Sequence, residues 1–188
     1  MRAPSLRNLL RNSTADAHAG LENTPLMRAF ALGDPAPAEY VDYLGRQLRM
    51  HRGLEDSLRS QVPDDWSSLR LSKSAWLEAD LRALDAPFDA RVAAVPAVQS
   101  WAEALGMLYV IEGSTLGLQM VRKRLRHDHP ALCGAGRFVA GYGDASAQHW
   151  RAFLTSLEAL PADEWGAAEH AAQATFDVFH CVFSEPCV

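Results

Sequence analysis

The sequence predicts a single all-helical domain. Apolar residues recur at three- and four-residue spacing along most of the chain, and no segment of useful length alternates between apolar and polar residues. Prolines and glycines cluster between the periodic segments, as expected for connections between helices. The 188 residues fit one domain with a sizeable core, and no repeat or linker divides them. We therefore predict one helical bundle spanning residues 1–188, with about seven to nine helices.

The N-terminal half predicts helices separated by proline-containing turns. Leucines and alanines at helical spacing predict a first helix over 5–23 and a short apolar segment over 26–31. Pro37 suits the first turn of a long helix that continues to about residue 61. Residues 62–65 predict a turn, and Ser72 or Ser74 begins the next helix.

The C-terminal half predicts three further helices. The capping-box pattern Ser100-x-x-Glu103 precedes a long helix that contains several glycines. Residues 134–143 are rich in glycine and predict a loop. Ser146 caps a helix that runs to about residue 160, and Pro161 opens a last amphipathic helix that ends near Pro186.

Composition and targeting signals indicate a cytoplasmic protein. The formal net charge of −5 gives no overall bias toward nucleic acid, and the basic run 122–126 suits the negative end of a helix dipole. Three cysteines without a CxxC motif indicate a reducing compartment, and the N-terminus lacks the apolar run of a signal peptide. The apolar segment 105–121 contains GxxxG, but polar residues interrupt it, so we predict a buried core helix and no membrane span.

Two glycines on the long helix mark the first candidate site. Gly113 and Gly117 lie one turn apart within an otherwise strong helix, where each costs roughly 1 kcal/mol relative to alanine. Glycines that lower helix stability in this way are expected where a flat or large partner approaches the backbone closely. The alternative is tight packing of a neighbouring helix against the GxxxG face. The sequence alone leaves both interpretations open.

A histidine on the first predicted helix is the second candidate. His18 and Glu22 are four residues apart and therefore share a helix face. A metal-binding histidine commonly donates its second ring N–H to a nearby acceptor, which Glu22 could provide. The alternative is an ordinary solvated pair on an exposed helix. A ligand on one helix and bare backbone on another would together suit a flat cofactor between them.

The two motifs together resemble the heme oxygenase family. Residues 10–22 are similar to the proximal helix of that family, and residues 106–119 are similar to its distal helix. The order, separation and overall length also agree, most closely with the bacterial biliverdin-producing group that accompanies bacteriophytochromes. The resemblance implies an all-α heme-oxygenase-like bundle, with heme between a proximal helix and a kinked distal helix.

The resemblance assigns roles to individual residues. It makes His18 the proximal heme-iron ligand, with Glu22 as its hydrogen-bonding partner. Gly113 and Gly117 become the distal glycines against the heme face, and Ser114 stands where the mammalian type has an aspartate that organises water. The resemblance further implies two propionate-side arginines, Arg11 and Arg151. The helical spacing of the last segment separately makes Phe179 a candidate for contact with the heme edge. For these three, a surface charge or core packing is the alternative.

The implied reaction uses heme as both substrate and cofactor. O2 and external electrons open the ring to give biliverdin, carbon monoxide and free iron. The sequence lacks a Rossmann fingerprint and an Fe–S cysteine set, so a separate ferredoxin or reductase is implied as the electron donor. The basic run 122–126 is a candidate docking segment for an acidic donor. A bacteriophytochrome is implied as an acceptor of the biliverdin.

Three other functions compete with this interpretation. The first is a heme-binding or heme-carrying protein of the same fold that does not turn heme over. This alternative stays open because Leu118 stands where the family usually has glycine. A helical hydrolase of the thiaminase type would need a cysteine nucleophile, for which Cys133 is the candidate. A helical interaction module would leave the joint occurrence of the His18–Glu22 pair and the glycine helix unexplained.

Overall fold

The computed structural model describes residues 5–32, 35–87, 90–128 and 130–185. Within these ranges the chain forms ten α-helices, more than the seven to nine predicted, and three short 3-10 segments. The described residues contain no strand, which confirms the predicted all-helical class. The helices are α1 Leu6–Ser13, α2 Ala15–Glu22, α3 Pro25–Leu32, α4 Pro37–Leu58, α5 Asp64–Arg70, α6 Lys73–Ala83, α7 Trp101–Asp128, α8 Arg137–Ala140, α9 Ser146–Glu158 and α10 Trp165–Phe183. The 3-10 segments are Pro130–Ala135, Gly143–Ala145 and Ala162–Glu164.

The first predicted helix is in fact two helices that meet at Thr14. Thr14 has φ −106° and ψ 2°, outside the helical region, and its buried hydroxyl donates to the Leu10 carbonyl at 2.7 Å. A threonine hydroxyl that bonds four residues back bends the helix, which is the physical reason for the break. Ser5 caps α1 by accepting from the Asn8 N–H at 3.3 Å. Glu158 of α9 accepts two further N–H groups of the first turn, at 3.2 and 3.0 Å.

Two segments that the sequence predicts as irregular are helical. The predicted turn at 62–65 contains the start of α5, because Pro63 precedes it and two aspartates occupy its first turn, where negative charge is favourable. The predicted loop over 134–143 contains the end of a 3-10 segment and the short helix α8. Gly141 and Gly143 have φ of 53° and 59°. Gly141 ends α8 by turning the backbone, and Gly143 begins the next 3-10 segment.

The long helix α7 begins at the predicted capping box. Ser100 Oγ accepts from the Glu103 N–H at 3.2 Å, while the Glu103 carboxylate accepts from the N–H of Gln99 at 2.6 Å. The helix then continues without a break through Gly113 and Gly117, so the predicted kink does not interrupt it. Its apolar segment 101–123 has the length and composition of a membrane span, yet 62% of its apolar 18-residue stretch is buried within the fold. This burial identifies α7 as a core helix, as predicted.

Helix α10 is the element around which the site is assembled. It packs along α7 and also contacts α1, α2 and α4. The closest point of the α7–α10 interface is Gly106, where a built Cβ would overlap the Ala168 carbonyl oxygen and lie 2.8 Å from its carbonyl carbon. Gly106 is therefore required for backbone-to-backbone approach of the two helices.

We expect Gly106→Ala to lower the free energy of unfolding by about 3 kcal/mol or more, because rigid backbone has to move to admit the methyl group. Gly45→Ala is the matched control, since Gly45 also lies inside a helix but has no atom within 4 Å of a built Cβ. That variant should gain up to about 1 kcal/mol from helix propensity. Urea unfolding of the apo protein measures both values, and equal stabilities would contradict the assignment.

Candidate functional site

His18 presents its ring on the open side of α2. The side chain is 59% exposed, and its Nδ1 lies 3.6 Å from Glu22 Oε2. That separation brings the predicted pair together but is longer than a hydrogen bond. The ring edge of His18 also meets Phe176 of α10, with ring centroids 5.9 Å apart and planes at 67°. An accessible imidazole beside an apolar aromatic ring is a suitable ligand for the iron of a flat, largely apolar group.

Helix α2 is anchored on α10 by a contact that the sequence did not indicate. His180 Nε2 lies 2.7 Å from the carbonyl oxygen of Ala17, the residue before His18. A Cβ built at Gly20 would lie 2.9 Å from Cε1 of the same ring. Glycine at position 20 thus allows the His180 ring to lie against α2, which holds the backbone next to His18.

Gly113 and Gly117 leave open space beside α7. Among the described residues, no atom of another part of the chain lies within 4 Å of a Cβ built at Gly117, and the one atom that does so at Gly113 is Trp150 Cη2, at 3.8 Å. Tight packing of a neighbouring helix, the alternative for this motif, is therefore absent at these two positions in the described part of the chain. Their bare backbone is available to another partner, in contrast to that of Gly106.

The residues that follow each glycine differ in direction. Ser114 is exposed, and its hydroxyl donates to the Ile111 carbonyl at 2.8 Å. Leu118 is only 7% exposed and belongs to the hydrophobic core. The family's usual glycine at position 118 is thus replaced by a side chain that contributes to the core.

The ligand helix and the glycine helix share α10 as a neighbour. Helices α2 and α7 each pack on α10, but in the described residues they form no extensive interface with each other. His18 and the two glycines therefore belong to helices that are supported from one side and separated from each other. This arrangement suits a flat group between them, with a ligand on one side and bare backbone on the other.

Positive charge lies near one end of this region. Burial raises the pKa of Tyr109 on α7 above its usual value. The positive charges of Arg7 and Arg11, two exposed residues of α1, act in the opposite direction and lower that pKa. Arg151 is exposed on α9, the helix whose Glu158 caps α1. Helix α9 also contacts α1, and its Trp150 packs against the Tyr109 ring, which the sequence did not indicate.

Phe179 lies deeper than its predicted role requires. It is 3% exposed and stacks on Phe183, with centroids 6.5 Å apart and planes at 9°. Phe176 is the aromatic residue of α10 that reaches His18. Contact of Phe179 with a cofactor stays a prediction.

A buried ionic cluster lies immediately behind Gly113. Glu112 is 2% exposed, and its carboxylate accepts from Arg70 at 2.9 Å, from Lys73 at 2.8 Å and from the Tyr142 hydroxyl at 2.9 Å. Burial favours the neutral acid, but the charges of Lys73 and Arg70 outweigh it and hold the pKa of Glu112 below its usual value. Burial likewise disfavours charged Lys73, while Glu112 more than compensates and raises the pKa of Lys73. Both ions are therefore charged at neutral pH.

The chain matches a protein-family model and a curated relative. The model described as heme oxygenase matches residues 4–185. A protein named heme oxygenase from Xanthomonas campestris pv. campestris (strain 8004) is 34% identical over 171 residues, which covers 85% of this chain and 98% of the relative. The chain belongs to the heme oxygenase family. It is therefore an enzyme that degrades heme. A heme carrier, a thiaminase-type hydrolase and an interaction module are not favoured. The side chain of Cys133, the candidate nucleophile of the hydrolase, lies outside the described residues.

Solved heme oxygenases share the fold. The NO- and CO-bound heme oxygenase from Neisseria meningitidis superposes with a TM-score of 0.74 at 23% identity, covering 96% of this chain and 91% of that one. The heme oxygenase from Leptospira interrogans gives 0.71 at 17% identity, covering 97% and 100%. Heme oxygenase-1 of Synechocystis sp. PCC6803, solved with heme, gives 0.61 at 16% identity, covering 96% and 91%. These structures confirm the predicted all-α heme oxygenase fold.

One further histidine of this heme oxygenase is fully buried. His51 of α4 is 1% exposed, packs its ring edge on Phe138, and has no hydrogen-bonding partner for either nitrogen among the described residues. Burial, with a contribution from the charge of Lys73, lowers the pKa of His51 to about 3. His51 is therefore neutral in the folded protein at any pH near neutrality.

We expect His51 to make stability fall as the solution is acidified. The folded pKa is depressed, so the stabilisation is present above the ordinary histidine value of 6.5 and is lost as pH falls toward 3. Between pH 7 and pH 5 this amounts to about 2 kcal/mol. His51→Leu should remove that slope in urea unfolding at several pH values, whereas His170→Leu, at an exposed position of α10, should retain it. Identical slopes in the two variants would contradict neutral burial of His51.

Proposed function

We propose that the enzyme binds heme between α2 and α7, with His18 as the ligand of the iron and the backbone at Gly113 and Gly117 against the opposite face. The observation that carries this proposal is the pairing of an accessible imidazole with an open glycine face on two helices that share α10 as support. The residues present fit the group, because a flat ring needs close backbone approach and one axial ligand.

Glu22 acts on His18 from the same face of α2. At 3.6 Å, its carboxylate is close enough to accept the Nδ1–H after a small adjustment of either exposed side chain. That hydrogen bond fixes the ring tautomer and leaves Nε2 free to bind iron. Phe176 limits rotation of the ring by packing against it.

The carboxylates of heme are bound by the cationic region at α1 and α9. Arg11 and Arg151 supply guanidinium groups, which bind carboxylates through paired hydrogen bonds. Tyr109 adds a hydroxyl on the α7 side. These contacts orient the ring within its plane, and Phe179 supports the apolar side from within the core.

Bound heme supplies the iron that activates O2 and is itself the substrate that is opened to biliverdin, carbon monoxide and free iron. The protein residues orient and shield it. Gly113 and Gly117 bring the helix backbone close to the ring, Ser114 provides a hydroxyl that can orient water, and Trp150 covers the side of Gly113. A neutral histidine ligand avoids the electron push that a thiolate would give toward O–O cleavage.

The electrons come from a separate ferredoxin or reductase, and the enzyme acts in the cytoplasm. The basic run 122–126 is a candidate docking segment, although the side chains of 124–126 lie outside the described residues. The relationship to the bacterial biliverdin-producing type supports a bacteriophytochrome as an acceptor of the product. These partner assignments are part of the same proposal.

We expect His18→Ala to abolish histidine ligation of bound heme and to lower turnover by at least about 100-fold. The measurement is the Soret spectrum during hemin titration, followed by biliverdin absorbance with ferredoxin, reductase and air. Added imidazole should restore much of the spectrum of the variant by occupying the vacated position. His170→Ala, an exposed helical histidine on α10, is the matched control and should behave as wild type. An unchanged spectrum in His18→Ala would refute His18 as the ligand.

We expect Gly117→Ala to separate stability from heme binding. The apo protein should gain up to about 1 kcal/mol, because alanine is a better helix former and no atom obstructs its methyl group. Heme affinity should fall by about tenfold or more, since the methyl group occupies space that the ring needs. Gly45→Ala should give a similar gain in stability without loss of heme affinity. Equal heme affinity in both variants would place the heme elsewhere.

A further inference from the structure

Glu112 occupies an unusual place on the glycine helix. It directly precedes Gly113, and its carboxylate is directed into a buried cluster formed by other parts of the chain. Successive helical residues are rotated by about 100°, so its side chain leaves α7 to one side of the bare face. The anchored carboxylate and the bare backbone of Gly113 are therefore adjacent along one helix.

The three donors to Glu112 come from three different segments and are themselves restrained. Arg70, the last residue of α5, lies over the Trp66 ring at 4.3 Å and donates to the His149 carbonyl at 3.3 Å. Lys73, the first residue of α6, also donates to the Arg70 carbonyl and to the Tyr142 hydroxyl, at 3.3 and 3.2 Å.

Tyr142 is held in the turn that precedes α9. Its ring packs on Trp76 and on His149, with centroids 5.6 and 4.6 Å away. The carboxylate of Glu112 is thus fixed by groups that belong to a rigid framework, and α7 is fixed with it.

The bare face of α7 has no comparable restraint of its own. Gly113 and Gly117 carry no side chains that could pack against a neighbour, and Gly117 borders open space. The orientation of this face is therefore determined by contacts on other faces of the helix. At a helix radius of 2.3 Å, a rotation of 10° would move the backbone by about 0.4 Å, enough to matter for a group in van der Waals contact.

We propose that Glu112, held by Arg70, Lys73 and Tyr142, is a positioning residue that sets the rotation of α7 at Gly113 and thereby selects the meso carbon of heme at which the ring opens. This inference rests on the proposed placement of heme against Gly113. It assigns the cluster a part in regioselectivity in addition to its part in stability. Glu112 does not touch the substrate and acts only through the backbone of the next residue.

The test compares Tyr142→Phe, which removes one donor but keeps the ring, with Glu112→Gln, which keeps the shape but removes the charge. Glu78→Gln is the control, because Glu78 of α6 pairs with Arg52 and Arg82 outside the cluster. In the apo proteins, hydrogen exchange should accelerate about tenfold for the amides of 109–117 in Tyr142→Phe, the size expected for one buried hydrogen bond. Exchange in α10 should not change, which separates local loosening from global destabilisation.

In the heme-loaded proteins, Tyr142→Phe should retain heme affinity within about threefold while the proportion of the major biliverdin isomer falls and the CO stretching band of the ferrous CO complex broadens. Glu112→Gln should show the same changes more strongly, and Glu78→Gln should show none. Unchanged isomer proportions and an unchanged CO band, or exchange that accelerates equally in α7 and α10, would overturn the proposal. A wild-type protein that bound no heme would instead refute the proposed heme site, and the exchange data would still decide whether the cluster fixes α7.

Discussion

The close approach of α7 to α10 at Gly106 and Ala168 is the constraint on which the site depends. Backbone-to-backbone contact leaves no room for adjustment by side-chain rotation, so it fixes the distance between the two helices. Helix α10 also carries Phe176 and His180, which hold α2 next to His18. The separation between the ligand helix and the glycine helix therefore follows from how each is held on α10. A site for a flat group requires such a separation before the group arrives.

Glycine has two distinct uses along α7. At Gly106 the Ala168 carbonyl occupies the space that a side chain would take, whereas Gly113 and Gly117 border space that the described side chains leave largely open. The first use contributes to stability through packing, and the second reduces helix stability without a packing gain in the apo protein. Binding of heme at this face, as proposed, would offset that loss.

The sequence predicted the helical fold and the two site helices because periodicity and motif spacing are local properties. It missed the break at Thr14, which depends on a side-chain hydrogen bond to the Leu10 carbonyl. It also missed α5, because seven residues are too few to show a clear helical periodicity. It predicted His18 and the glycines as site residues, which stays a prediction, and it could not place Glu112. A lone carboxylate in an apolar helix signals that partners exist, but Arg70 and Tyr142 are brought to it only by tertiary folding.

The residues proposed to touch heme are among the less constrained parts of the fold. His18, Glu22 and Ser114 are exposed, and the contact between the first two is longer than a hydrogen bond. The backbone of such a site is held by residues that lie next to the proposed contact residues. His180 contacts the Ala17 carbonyl beside His18, and the ionic cluster of Glu112 holds α7 beside Gly113. Because those supports are largely buried and hydrogen-bonded, they hold the backbone in place while the exposed side chains remain able to adjust as substrate enters and product leaves.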